Sequence, residues 1–205
     1  MNRKVIGIIG SYRRGGITDQ VVSCILDSAK QNGMETKKIY LTDYSIKFCL
    51  NCRVCTQTDP HKIRGDCIHN DDMDQILKEI DNADGLILAS PINFSTVTAI
   101  MKRFIERLIV YVYWPWGKIA PQKRIKKLSK KAIIVTSSSC PALIGRIIMP
   151  NCLNILKNGA KIAGAKVVKS LYFGGVCYTE KQKLTEKQLR KVKKAGAIFK
   201  TIKEN

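Results

Sequence analysis

The stretch KVIGIIGSYRRGGIT, running from Lys4 to Thr18, decides how this chain folds. Its first part, Lys4 to Ile9, is a short β-branched run that ends at Gly10, which reads as a strand. From Thr18 to Asn32 the apolar residues Val21, Val22, Ile25, Leu26 and Ala29 recur at helical spacing, and Gly33 stands where a helix ends. The turn between them, Gly10 to Thr18, is rich in hydroxyls, glycines and arginines. A phosphate lying there would meet backbone N–H groups at a helix N-terminus, the hydroxyls of Ser11 and Thr18, and a charge-assisted bond from Arg13. The turn is not a Walker loop, since no Gly-Lys-Ser/Thr follows, and it lacks the Gly-x-Gly-x-x-Gly of dinucleotide folds. The plainer reading is an ordinary turn with Thr18 as helix cap.

Outward from this stretch the alternation continues. Glu35 to Leu41 reads as a strand and Asp71 to Asn82 as a helix, with Met73, Ile76, Leu77 and Ile80 on one face and Asp71 and Asp74 set for a capping-box-like start. Gly85 to Ala89 is continuously apolar, as a strand covered on both faces must be. Thr96 to Tyr113 reads as helix, 114–130 as loop, Ala132 to Thr136 as strand, Ile144 to Ala163 as helix interrupted at Pro150, Lys166 to Phe173 as strand, and Thr185 to Lys203 as helix. Five strands alternating with five helices predict an α/β fold of three layers, a parallel sheet with helices on both faces and right-handed crossovers. Ligands in such sheets sit beyond the carboxyl ends of the strands. That rule selects the loops 10–18, 90–95 and 137–143.

The 205 residues suit one domain, with 42–70 as a cysteine-rich loop inserted in it, and 45% hydrophobic residues exclude wholesale disorder. The longest apolar run, Leu108 to Trp116, is half of the roughly 18 residues needed to span a bilayer, and Val5 to Ile9 is too short for a signal h-region. A cytoplasmic protein with no membrane association is expected. Eight cysteines in a reducing compartment point to metal, redox or core roles rather than disulfides. The formal charge of +20 raises nucleic acid as a partner. However, residues 118–131 and 181–205 each carry +7, while residues 1–117 carry only +2. Neither tract interleaves aromatics as RNA readers do. The first could attract nucleotide phosphates or be solvated surface, and Lys187, Lys191 and Lys194 form one solvated helix face, so nucleic acid is not an expected partner.

Three stretches together carry a family resemblance. Gly10-Ser11-x-Arg13-x-Gly15-Gly16-x-Thr18-Asp19 resembles the phosphate loop of the flavodoxin-like NADPH-dependent FMN reductases, a group that includes the iron–sulfur flavoproteins. Gly65-x-Cys67-x-x-x-Asp71-Asp72-Met73 follows a cysteine cluster. Ala83-Asp84-Gly85 leads to Ser90-Pro91-Ile92-Asn93-Phe94 and then Met101-Lys102-x-Phe104-Ile105-Glu106-Arg107. This chain has Asn93 where the family usually has Tyr, and Glu106 where it usually has Asp. The resemblance implies strand order 2-1-3-4-5 and bound FMN. Ser11, Arg13 and Thr18, with Gly16 and Ile17 between them, would hold its phosphate. Pro91, Ile92, Asn93 and Phe94 would line the isoalloxazine ring. Ser137, Ser138 and Ser139 end the fourth strand, where the family also contacts flavin; alternatively they are a polar strand-end loop. The relatives' homodimers or homotetramers imply the same here.

Cys49, Cys52 and Cys55 form two successive C-x-x-C spacings, and Cys67 follows after eleven residues. Four thiolates can hold a [4Fe–4S] cluster. The iron–sulfur flavoproteins place their fourth cysteine sooner, and many FMN-only relatives keep cysteines in this loop. A cluster, a cluster-free redox-sensitive or packing loop, and a four-cysteine zinc site all stand open. Cys24 reads as core, and Cys140, Cys152 and Cys177 show no ligand spacing. His61 and His69 flank the cysteine loop and read as surface residues. Trp114 and Trp116, with Tyr111 and Tyr113, form an aromatic cluster that reads as a subunit interface or a wall over the flavin, or else as local packing. Two functions follow. One is an NAD(P)H-dependent FMN oxidoreductase serving a small-molecule or protein acceptor. The other is an iron–sulfur flavoprotein electron carrier with its cluster on Cys49, Cys52, Cys55 and Cys67.

Overall fold

The structure is a computed structural model and describes residues 3–201. In chain order its elements are β1 (Lys4–Ile9), α1 (Ile17–Gln31), β2 (Glu35–Tyr40), α2 (Val54–Gln57), α3 (Met73–Asp81), β3 (Gly85–Asn93), β4 (Thr96–Val97), α4 (Ala99–Arg107), β5 (Val112–Tyr113), β6 (Gln122–Lys123), β7 (Lys130–Ser137), α5 (Ala142–Ile148), α6 (Pro150–Ile162), β8 (Ala165–Phe173) and α7 (Glu186–Gly196). Five parallel strands lie in the order β2-β1-β3-β7-β8, and β4 adds a short antiparallel pair to the end of β3. This is the flavodoxin-like order expected from the sequence.

Alternation along the strands builds two cores. Ile6, Ile8, Leu86, Leu88 and Ile134 face α3, α4 and α6. Val5, Ile9, Ile87, Ala89, Ile133 and Val135 face α1 and α7. Each fully buried Val, Leu or Ile contributes about 1.5–3 kcal/mol, so both helix layers are held by burial rather than by helix propensity.

Several boundaries differ from the sequence reading. Thr18 is not the cap of α1: Gly16 is, and Thr18 sits inside the first turn with its hydroxyl 2.8 Å from that of Ser137. The cap position of α3 is Asp72, whose side chain makes no capping bond, while the Asp71 carboxylate one residue earlier accepts from Met73 N–H at 3.1 Å and pairs with Arg107. The helix expected over 96–113 is α4 with a 3-10 turn at Leu108–Tyr111, preceded by β4. Thr98 caps α4, its side chain accepting from Met101 N–H. Pro150 begins α6 and so separates it from α5. The last helix ends at Gly196 and passes into a 3-10 turn over Ala197–Thr201; Lys203 lies outside the described residues. Thr185 caps α7 in a complete capping box with Gln188.

Candidate functional site

The carboxyl ends of β1, β3, β7 and β8 open onto one cleft with about 870 Å³ of space, solvent included, in the range of small-ligand and cofactor sites. Ser11, Arg13, Gly16, Ile17 and Thr18 form one end of its wall, Pro91, Ile92 and Asn93 another, and Ser137, Ser138 and Ser139 the floor between. Eleven of the twelve residues singled out in the three loops thus meet at one place. Phe94 does not line the cleft. With Ser95 it forms the tip of the β3–β4 hairpin, where both residues have positive φ (45° and 63°), and its side chain is fully exposed.

The glycine-rich turn is held from behind. The Asp19 carboxylate accepts from Gly15 N–H at 2.7 Å, from the Tyr40 hydroxyl at 2.8 Å and from the Lys38 ammonium at 3.1 Å. Burial pushes the Asp19 pKa up, but those three donors outweigh it and hold the carboxyl below its ordinary value. Arg14 pairs with Asp43 and stacks on the Tyr40 ring. Gly10 lets α4 approach: a Cβ there would lie 2.6 Å from that of Met101. The first turn of α1 faces the cleft, and its leading N–H groups have no intrahelical acceptors. The Arg13 guanidinium donates to the Glu180 carbonyl at 3.0 Å and lies 3.6 Å from Cys177 Sγ. Ser138 is fixed by the Tyr172 hydroxyl at 2.8 Å. A negatively charged phosphate would find a helix N-terminus, two buried hydroxyls and a permanent cation here.

The fourth wall, which includes Val176, Cys177, Thr179 and Gln182, was missed by the sequence reading. The signal was present: Gly174-Gly175 ends the fifth strand, and the strand-end rule that selected the other loops applies there too.

The cysteine loop forms a second pocket. Cys49, Cys52, Cys55 and Cys67 all line it, with Arg53, His69 and Arg107. Burial, joined by the three other cysteines, pushes the Cys55 thiol up to about 11. Among the described residues no three His, Cys, Asp or Glu side chains stand close enough to share one metal ion.

Arg107 is buried and pairs with Asp71 at 2.6 and 3.2 Å, and its second amino group lies 3.5 Å from Cys67 Sγ. Burial pushes the Asp71 carboxyl up, but Arg107 and the N–H groups of Lys47 and Met73 hold it below its ordinary value. The Nε–H groups of both Arg53 and Arg107 are buried without an acceptor among the described residues. Each such donor costs roughly 1–3 kcal/mol unless something in the pocket accepts from it. Cluster sulfurs and thiolates are acceptors, so the donor set fits a cluster.

The loop around this pocket is clamped from outside. Arg124 donates to the carbonyls of Asp59, Cys55, Thr58 and Val112. Arg53 lies between the rings of Trp114 and Trp116, 4.1 and 4.0 Å from their centres, and donates to the Trp114 carbonyl at 2.6 Å. The Trp pair therefore packs on the cysteine loop and does not line the strand-end cleft. Tyr111 is core, its hydroxyl bonded to Asp81 at 2.7 Å. The basic tract is likewise only partly solvated: the Lys130 ammonium donates to the Asp81 and Ala83 carbonyls. His69 lines the cysteine pocket and bonds to the Phe48 carbonyl, whereas His61 is exposed and lines neither pocket. Cys152 is buried against Thr136, and Cys24 is partly buried on the α1 side.

The fold and the cleft define a flavodoxin-like class of protein. Its family is shown by comparison: the model of the NADPH-dependent FMN reductase family matches residues 3–174, and the chain belongs to that family. It is similar to an iron–sulfur flavoprotein of Archaeoglobus fulgidus (33% identical over 112 residues, 55% of this chain and 48% of the relative). It is also similar to one of Methanocaldococcus jannaschii (40% over 104 residues, 51% of each). The matches thus span about half the length of these curated relatives. The fold is shared with an NAD(P)H:quinone oxidoreductase from Methanothermobacter marburgensis (TM-score 0.67, 17% identity, 96% of this chain and 98% of that one). A Bacillus anthracis FMN-dependent NADH-azoreductase shares it as well (TM-score 0.69, 11% identity, 97% and 100%). No helix among the described residues is long and apolar enough to cross a membrane.

Proposed function

We propose that this chain is an FMN-dependent oxidoreductase of the iron–sulfur flavoprotein kind, with FMN in the strand-end cleft and a [4Fe–4S] cluster on Cys49, Cys52, Cys55 and Cys67. The convergence of four strand-end segments on one cleft carries the flavin assignment. The four cysteines around one pocket with two arginines, and the printed names of the curated relatives, support the cluster.

When bound, FMN supplies two-electron hydride chemistry at N5 and one-electron chemistry toward a carrier, and a cluster supplies single-electron transfer. The chain's own residues bind and orient. Arg13, Ser11, Thr18 and the N-terminus of α1 hold the phosphate. The backbone of Pro91 to Asn93 would hold the ring, with Ser137 to Ser139 beneath it. An acceptor of small-molecule or protein type reaches the ring through the open side of the cleft.

A second reading takes NAD(P)H as the direct hydride donor. It is favoured by the openness of the cleft and by the family's description. Anaerobically purified protein should show flavin bands and about four irons per chain, as a [4Fe–4S] cluster requires. NADPH bleaching the flavin within turnover time supports the second reading; flavin reduced only through a one-electron donor supports the first. Protein with no affinity for added FMN overturns both.

A further inference from the structure

We propose that Arg53 and Arg107 are positioning residues of the cysteine pocket, two fixed guanidinium cations that raise the reduction potential of the cluster bound there. The inference rests on the cluster assignment above and deepens it.

The two cations reach the pocket from different elements. Arg53 lies between Cys52 and Cys55 in a left-handed backbone conformation (φ 61°), and Arg107 ends α4. Both line the pocket with the four cysteines. Each has a buried Nε–H without an acceptor among the described residues, and Arg107 lies within hydrogen-bond reach of Cys67 Sγ. Their charge balance differs. The Arg107 charge is shared with the buried Asp71 carboxylate through two contacts. Arg53 has no carboxylate partner among the described residues; it is held by the Trp114 carbonyl and by the faces of Trp114 and Trp116. Packing against two indole rings takes part of the hydration from the Arg53 head while leaving its charge intact.

Adding one electron to a cluster ligated by four thiolates makes it more negative, with no bond broken and no proton required. A cation in a poorly hydrated pocket favours the more negative state, and hydrogen bonds to sulfur act in the same direction. Arg53 therefore acts mainly through charge and Arg107 through its bond to Cys67, with Asp71 opposing both. Arginine suits the role because it stays protonated whatever surrounds it.

The test is a dithionite redox titration of the iron-loaded full chain, read by electron paramagnetic resonance, with iron content and thermal melting measured alongside. Arg53→Gln should lower the midpoint potential, and Arg53→Lys, which keeps the charge, should restore most of it. Asp71→Asn should shift the potential the opposite way. Arg107→Lys should keep the charge and lower the potential by losing the sulfur bond. Iron-loaded Arg53→Gln and Asp71→Asn proteins with wild-type potentials overturn the assignment of the arginines and leave the cluster standing. Wild-type protein that takes up no iron after reconstitution overturns the cluster reading, and this inference with it. If Asp71→Asn fails to fold, the Arg53 pair decides alone, because Arg53 has no buried partner to strand.

Discussion

Arg13 and Asp19 divide the work of the phosphate turn between contact and support. With FMN bound as proposed, Arg13 would meet its phosphate, and removing Arg13 would delete one charge-assisted bond of about 1.5–3 kcal/mol. Arg13→Ala should therefore weaken FMN binding by about 10–100-fold and leave riboflavin, which has no phosphate, almost unaffected. Flavin fluorescence titration measures both, and an equal loss for the two ligands would show that Arg13 does not hold the phosphate. Asp19 touches no ligand but fixes Gly15 N–H and so the shape of the turn. Its carboxyl titrates below its unfolded value of 3.8, so the stability it contributes is present above that pH and is lost as pH falls toward the folded value. Asp19→Asn should be less stable at neutral pH and show a shallower loss as pH falls below 3.8, seen by urea unfolding at a series of pH values. Parallel curves for the two proteins would contradict this. Ser11, Arg13 and Thr18 could be placed in the cleft from the sequence, because hydroxyls and a cation at a helix start are what a phosphate site would use. The supporting role of Asp19 could not be read there, because its partners Tyr40 and Lys38 come from another strand.

Elements show where local sequence rules stop. The helix expected over 96–113 is broken because Thr98 finds a better role as a cap, and because Tyr111 must reach Asp81 from a tighter turn. Neither contact is visible in apolar spacing. The hairpin tip at Phe94 and Ser95 holds two non-glycine residues at positive φ, each at a cost of order 1–3 kcal/mol. Ser95→Gly should relieve about 1 kcal/mol of this and raise the melting temperature. A lower melting temperature would show that the Ser95 side chain supports the turn. The cysteine loop is just as tightly set. A Cβ on Gly65 would fall 1.8 Å from the Cys55 carbonyl oxygen, a backbone atom that cannot swing aside. Gly65→Ala should reduce iron uptake several-fold while FMN affinity stays within about twofold, because the two pockets share no lining residue. Equal losses at both sites would mean that the loop supports the cleft.

Over the whole molecule, ligand and fold are linked by mass action. FMN at about 100 times its dissociation constant should add about 2.7 kcal/mol to stability, seen as a rise in melting temperature larger than riboflavin produces at the same concentration. No rise would exclude FMN from the native cleft. The charge of +20 shows how far sequence reaches on this scale. The number suggests a polyanion partner. In the structure, Arg124 and Lys130 of the basic tract are spent on backbone carbonyls, while Lys118, Lys123, Lys126 and Lys127 remain exposed. By itself the sequence determined the parallel five-stranded order, the three loops at the strand ends and the residue types that suit FMN. The alternation of strands and helices, the parallel sheet and the strand-end loops follow from local periodicity and from the chirality of the strand–helix–strand unit, whereas the strand order and the suitability for FMN came from the resemblance of the motifs to the FMN reductase family. Only the tertiary structure decided that Val176 to Gln182 close the cleft, that Phe94 stands outside it, that Trp114 and Trp116 clasp Arg53, and that the late Cys67 joins the other three cysteines beside Arg107. Those meetings join residues from 12 to more than 160 positions apart, and burial, ion pairing and close backbone approach set them, which no short window of sequence records.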